Sequence, residues 1–108
     1  MAEVHETDAE DVQAWIDSGD AVIVDVREDG ELLQARLTVD FVHAPLSRFD
    51  PDAIPTETEK RVVFVCAQGM RSLQAAQYMV NQGLLTDAYN LREGIAGWHR
   101  DGFALESG

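Results

Sequence analysis

The chain has 108 residues, of which twenty are acidic and eight basic, so its formal net charge at neutral pH is -12. Such a charge repels the phosphate backbone, and neither nucleic-acid binding nor a polybasic membrane anchor is expected. The single cysteine excludes an internal disulfide and a multi-thiolate metal site, and a lone free thiol favours a reducing cytoplasm. The length predicts a single domain over residues 1–108.

A capping box opens the first predicted helix, because Thr7 can accept at the N-cap position and Glu10 stands three residues later. Gly19 suits the end of that helix. Residues 21–26 are mostly β-branched and predict a strand. Residues 29–36 are expected to form a helix and residues 41–46 a short strand stopped by proline. Residues 47–60 should form a loop with at most one short turn.

The second half of the chain begins with a stronger signal. Residues 61–65 form an unbroken β-branched and aromatic run, which is typical of a strand buried on both faces. A helix should follow, with Ser72 at its N-cap and Gly83 at its end. Residues 88–91 predict a last short strand, and residues 94–100 predict a terminal helix. We therefore expect an α/β fold, with a central parallel sheet of about five short strands and helices on both faces.

A short loop with a thiol at its start and a cation at its end joins residues 61–65 to the helix that follows. Cys66 directly succeeds the strand, and the ligand site of an open parallel sheet lies at the carboxyl ends of its strands. Gly69 can take a positive φ and let the loop close around the sulfur. Arg71 offers a guanidinium to an oxyanion, and the backbone N–H groups of the loop can form an anion nest. The predicted binding residues are Ala67, Gln68, Gly69, Met70, Arg71 and Ser72.

Three motifs resemble the rhodanese family, the sulfurtransferases that carry a persulfide on cysteine. The loop matches the family pattern Cys-x-x-Gly-x-Arg-Ser, and residues 22–28 look like the first core strand with its Asp-Val-Arg ending. Residues 91–98 look like the family's Leu-x-Gly-Gly-x-x-x-Trp segment, with Glu93 in place of one glycine. The resemblance covers residues 4–103, in the family's order. Residues 36–45 depart from the family pattern, and we expect an altered pocket rim there.

The resemblance implies a two-step reaction with Cys66 as the catalytic residue. Cys66 would attack the outer sulfur of a small anionic donor such as thiosulfate, release sulfite and retain a persulfide. A thiol or cyanide acceptor would then take that sulfur. In this family Asp25 and Arg27 tie neighbouring loops together, which implies a supporting role. Sulfur transfer of this kind requires no cofactor and no metal, and none is expected.

Two other functions stay open at this point. A persulfide relay would use the same cysteine to deliver sulfur to a protein partner. A phosphatase on the rhodanese fold is less favoured, because phosphatase loops are one residue longer between cysteine and arginine. Val65 also stands where phosphatases usually have histidine. A thiosulfate:cyanide assay separates an efficient enzyme from a relay.

Overall fold

A five-stranded parallel sheet forms the centre of the computed structural model, which describes residues 2–107. Met1 and Gly108, the ends of the predicted domain, lie outside the described residues. In chain order the strands and helices are β1 Glu3–Thr7, α1 Ala9–Asp17, β2 Ala21–Asp25, α2 Asp29–Gln34, β3 Arg36–Leu37, β4 Val42–His43, β5 Arg61–Val65, α3 Met70–Asn81, β6 Asp87–Leu91, α4 Gly94–Arg100 and β7 Leu105–Glu106. The central sheet has the order β1-β6-β5-β2-β4, and β3 pairs with β7 in a separate antiparallel ribbon.

Strand β5 lies in the middle of the sheet and is buried on both faces, as its apolar run predicts. Because successive side chains of a strand point to opposite faces, Val62 and Phe64 pack on one side and Val63 and Val65 on the other. Helix α3 covers the first side, and helices α1 and α4 cover the second. The predicted α/β fold, with helices on both faces of a parallel sheet, is therefore confirmed.

The amino-terminal end of the sheet differs from the sequence prediction. Residues 3–7 form edge strand β1, which pairs in parallel with β6, and their polar, charged composition gives little strand signal. Thr7 is the last residue of that strand and not a helix N-cap. The N-cap of α1 is Asp8, whose carboxylate accepts a hydrogen bond from the Asp11 N–H at 2.9 Å. The predicted Thr7–Glu10 capping box is therefore wrong.

Residues 29–60 are also more finely divided than predicted. Helix α2 ends two residues early, at Gln34, because Arg36 and Leu37 pair with Glu106 and Leu105 across the chain. The predicted 41–46 strand is reduced to the two residues of β4. Two short 3-10 turns, Leu46–Arg48 and Pro51–Ala53, follow it. Among the described residues, no helix combines the length and the apolar character needed to cross a membrane.

An ion pair is buried where β2 ends, beside the strand that leads to Cys66. The Asp25 side chain is fully buried, and Arg27 is 4% exposed. Arg27 donates from Nη2 to the Asp25 carboxylate at 2.9 Å, and its backbone N–H donates to the same group at 3.0 Å. Val26, between them, donates to the carbonyl of Val65 at 2.9 Å. The pair therefore fixes the chain direction after β2 against the end of β5.

Replacing Arg27 by leucine should lower the free energy of unfolding by about 3–5 kcal/mol, because the Asp25 carboxylate would be left buried without its partner. Urea denaturation followed by circular dichroism measures this loss. Arg48→Leu is the matched control, since it removes an arginine from a solvent-exposed pair with Asp29 and should change stability little. Equal losses in the two variants would contradict burial as the origin of the effect.

Candidate active site

Cys66 is the first residue after β5, and its side chain is almost completely buried, at 1% exposure. The Sγ atom accepts a hydrogen bond from the Gly69 backbone N–H at 3.1 Å. The Ser72 hydroxyl oxygen lies 3.3 Å from the same sulfur. Two polar hydrogens can therefore be directed at one sulfur atom inside a closed loop. Such an arrangement stabilises a thiolate without any metal ligand.

Gly69 allows the loop to close in this way. Its φ is +94°, a conformation that L side chains rarely adopt, and it is the N-cap residue of α3. A Cβ atom at this position would lie 1.9 Å from the backbone oxygen of Arg92. The positive φ that the loop pattern predicts is confirmed. Ser72, predicted as the N-cap, is instead buried in the first turn of α3, where its hydroxyl faces the sulfur.

The amino-terminal turn of α4 holds the other end of the loop. The N–H groups of Ile95 and Ala96 donate to the carbonyl oxygens of Cys66 and Ala67 at 2.9 and 3.1 Å. Gly94 makes this contact possible, because its φ is +61° and an added Cβ would lie 2.4 Å from the Cys66 oxygen. The second glycine of the family motif is thus required here by close packing.

The substitution at the first glycine of that motif has a simple structural outcome. Glu93, which stands in its place, is exposed and pairs with Arg100 on the outside of α4. The backbone contacts from Ile95 and Ala96 to the loop after β5 are present with glutamate at this position. The departure from the family pattern therefore does not open the sulfur-binding loop.

The environment of Cys66 favours the thiolate. Burial raises the pKa of the Cys66 thiol, but hydrogen bonds from the Ser72 hydroxyl and from the backbone N–H groups of Ser72, Gln68 and Gly69 outweigh it. The net effect is a pKa below the usual value of a cysteine. The backbone nest predicted for residues 67–72 thus contributes through three of its N–H groups. Met70, in contrast, is 70% exposed.

Arg71 is engaged in an ion pair that the sequence did not predict. Its Nη1 and Nη2 atoms donate to the two carboxylate oxygens of Glu31 on α2, at 2.6 and 2.8 Å. The hydrogen bond from Arg71 lowers the pKa of Glu31 to about 2, and the same bond raises the pKa of Arg71. Both side chains are about one-third exposed. Glu31 lies 40 positions from its partner, so no local motif reveals the pair.

A buried polar network links the loop to β6 and β1, and it was also missed. The Asn90 side chain is 1% exposed; its Nδ2 donates to the carbonyl oxygen of Gly69 at 3.1 Å and to Glu6 at 2.7 Å. Its Oδ1 faces the Ser72 hydroxyl. An asparagine inside a strand is an unusual choice, and that is the one signal that could have singled it out.

The remaining predicted residues, Asp25 and Arg27, lie at and just beyond the carboxyl end of β2, next to β5, the strand that Cys66 follows. The carbonyl oxygen of Arg27 accepts from Nε2 of His43 at 2.7 Å, which joins this turn to β4. Asp25 and Arg27 therefore connect the turns that surround the site. Among the described residues, neither of the two forms a hydrogen bond with the Cys66 sulfur. A supporting role for them stays a prediction.

Comparison with known proteins identifies relatives of this chain. The sequence model of the rhodanese-like domain family matches residues 8–101. A protein named sulfurtransferase from Allochromatium vinosum is 32% identical over 94% of this chain and 94% of its own length. The thiosulfate sulfurtransferase GlpE of Vibrio cholerae is 29% identical over 93% of this chain and 92% of its own length.

A solved structure gives the same result for the fold. The thiosulfate sulfurtransferase of Pseudomonas aeruginosa superposes with a TM-score of 0.79 and 29% identity, over 97% of this chain and 20% of that one. The similarity to these proteins extends over most of the sequence. It therefore includes the parallel sheet, the loop after β5 and the segment that contains Gly94. The chain belongs to the rhodanese-like domain family.

Proposed function

We propose that the protein transfers a sulfane sulfur through a persulfide on Cys66, with thiosulfate as the donor and a cellular thiol or cyanide as the acceptor. One observation carries the proposal: the buried Cys66 sulfur lies within 3.3 Å of the Gly69 N–H and the Ser72 hydroxyl. Relatives named sulfurtransferase and thiosulfate sulfurtransferase support the class of reaction. A single unpaired thiol favours a reducing compartment such as the cytoplasm.

The reaction proceeds in two displacements at sulfur. In the first, the Cys66 thiolate attacks the outer sulfur of thiosulfate; a new S–S bond forms, and sulfite leaves with the electron pair of the old one. In the second, an acceptor nucleophile attacks the outer persulfide sulfur and the Cys66 thiolate leaves. The hydrogen-bond donors of residues 67–72 serve both steps. They stabilise negative charge on the Cys66 sulfur before it attacks thiosulfate and again when it leaves the persulfide.

The Glu31–Arg71 pair bears on how an anionic donor reaches this sulfur. Both terminal nitrogens of Arg71 already bind the Glu31 carboxylate. A thiosulfate oxyanion must therefore displace Glu31 or share the guanidinium with it. Because the whole chain carries a net charge of -12, no long-range attraction compensates for this competition. Arg71 and Glu31 together, and not Arg71 alone, are proposed to set the affinity for the donor.

A persulfide relay to a protein partner is the second candidate, and one observation favours it. Met70 exposes 70% of its side chain immediately before Arg71, which offers an apolar contact beside the site. A phosphatase reaction is disfavoured by the loop itself. The loop is one residue shorter between Cys66 and Arg71 than in phosphatases, and it directs the Gly69 N–H at the cysteine sulfur.

Cys66→Ser should abolish sulfur transfer while the fold is kept, because a hydroxyl of similar size is a poor nucleophile at neutral pH. A thiosulfate:cyanide assay measures the loss of turnover. Mass spectrometry of the wild-type protein after incubation with thiosulfate should show the addition of one sulfur atom, and the variant should show none. Turnover by the serine variant would refute the covalent mechanism. Persulfide formation with negligible turnover to cyanide would favour the relay.

The ionisation of Cys66 can be measured independently of sulfur transfer. Since the hydrogen bonds of the loop lower its pKa, the rate of alkylation should rise with pH around a midpoint below about 8.5, the value of a free cysteine. Iodoacetamide at a series of pH values gives this midpoint, with Ser72→Ala expected to raise it. A midpoint at or above the free value would contradict the proposed role of the nest.

Glu31→Gln should raise the kcat/KM for thiosulfate by about tenfold, because it frees the donors of Arg71 for the incoming oxyanion. Steady-state kinetics with thiosulfate and cyanide measures the change. Asp29→Asn is the matched control: it removes the same charge from the same helix, but its partner is the exposed Arg48. A decrease in the Glu31 variant would show instead that Glu31 holds Arg71 in its productive position.

A further inference from the structure

The hydroxyl of Ser72 has two acceptors and one proton. Its oxygen lies 3.3 Å from Cys66 Sγ and 2.5 Å from Asn90 Oδ1, and the residue is completely buried. A serine hydroxyl donates only one hydrogen bond, so it cannot serve the sulfur and the amide oxygen at the same time. When the hydroxyl proton is donated to Asn90, the serine oxygen can only accept from the sulfur, and this arrangement stabilises a protonated cysteine. When the proton is donated to the sulfur, the arrangement stabilises a thiolate.

The orientation of Asn90 makes this competition unavoidable. Its Nδ2 group has two hydrogens, and both are used, by the carbonyl oxygen of Gly69 at 3.1 Å and by Glu6 at 2.7 Å. Rotating the amide by half a turn would point its oxygen at two acceptors, a carbonyl and a carboxylate. The network therefore assigns Oδ1 to the side of Ser72. At that position it is an acceptor only.

We propose that Asn90 is a positioning residue for sulfur transfer, which acts through Ser72 by competing with the Cys66 sulfur for a single hydroxyl proton. This inference rests on the proposed function of Cys66 as the attacking and leaving thiolate. With Asn90 present, formation of the thiolate requires Ser72 to give up its bond to Oδ1. The anion is thus stabilised less than the loop alone would allow, and a thiolate of higher basicity is a stronger nucleophile toward sulfur.

Other charged groups near Cys66 do not reproduce this effect. Arg71 on α3 favours the anion, but its charge is balanced by Glu31 on α2. Glu6 on β1 reaches the sulfur only through the amide of Asn90. Replacing Asn90 by leucine removes the competing acceptor while leaving Arg71, Glu31 and Ser72 unchanged. Leucine also has a similar shape and excludes a water molecule that could take the acceptor's place.

The test is a double-mutant cycle on the pH dependence of alkylation by iodoacetamide. Four proteins are compared: wild type, Asn90→Leu, Ser72→Ala and the double variant. We expect Asn90→Leu to lower the Cys66 midpoint by about half a pH unit and to lower the plateau rate of the fully ionised thiol. In the Ser72→Ala background the same substitution should not lower the midpoint, because the shared proton is gone.

A purely structural role for Asn90 predicts a different outcome. Loss of its bond to Gly69 would loosen the nest and shift the midpoint upward, by the same amount with or without Ser72. Equal shifts in the two backgrounds, or an upward shift in Asn90→Leu, overturn the proposal. Thermal melting checks that each variant folds, and Asn90→Val, which also lacks an acceptor and leaves less room for a water molecule than alanine would, replaces the leucine variant if that one does not. Glu6→Gln, which keeps an acceptor oxygen for the amide, should leave the midpoint unchanged.

Alkylation needs no sulfur donor, so the two hypotheses fail separately. If Cys66→Ser retained sulfur transfer, the proposed function would be wrong even where the cycle showed coupling between Asn90 and Ser72. If Cys66→Ser were inactive but the cycle were additive, sulfur transfer would stand and the role of Asn90 would be lost. The kcat/KM for thiosulfate, measured at a pH at which Cys66 is fully ionised, completes the comparison because it reports the attack step alone. A decrease is expected in Asn90→Leu, since its thiolate is a weaker nucleophile.

Discussion

The close approach of two backbone segments governs the geometry of the site. Gly69 lies against the carbonyl of Arg92, and Gly94 lies against the carbonyl of Cys66, at separations that leave no room for a Cβ atom. These contacts join the loop after β5 to the turn after β6. They fix the direction of the Gly69 N–H, and with it the hydrogen bond to the sulfur. The chemistry of Cys66 thus depends on two positions that carry no side chain.

Electrostatics at the site is local, although the molecule as a whole is strongly acidic. The sulfur is surrounded by N–H and hydroxyl donors, whose effect on its pKa exceeds that of burial. The guanidinium of Arg71, whose charge interacts with Cys66, is balanced by Glu31 at hydrogen-bonding distance. The loop therefore stabilises an anion on Cys66 by oriented dipoles, and the Glu31–Arg71 ion pair at its rim is proposed to set the affinity for the incoming sulfur donor.

Features that depend on local sequence were predictable, and features that depend on distant pairing were not. The apolar run of β5 and the role of Gly69 followed from the sequence, because burial on two faces and a positive φ each restrict the residues at one place. Edge strand β1 carries too many polar residues to be recognised as a strand from its sequence, and its partner β6 is far away along the chain. Glu31 and Asn90 reach the loop from α2 and β6, through contacts that no spacing rule contains. The N-cap role predicted for Ser72 was wrong, since Gly69 already begins the helix, but Ser72 does lie among the predicted loop donors around the sulfur.

Glu31 belongs to a different segment of the chain from the loop of residues 66–72 that surrounds the sulfur, and this has an evolutionary consequence. The groups that hydrogen-bond the Cys66 sulfur belong to the loop after β5 and to α3, whereas the carboxylate that binds Arg71 belongs to α2, a short helix followed by the divergent residues 36–45. Under the role proposed for Glu31, substitutions in α2 change the affinity for the sulfur donor and leave the nucleophile intact. Donor preference and the reactivity of Cys66 are then set by different segments of one scaffold and can diverge independently.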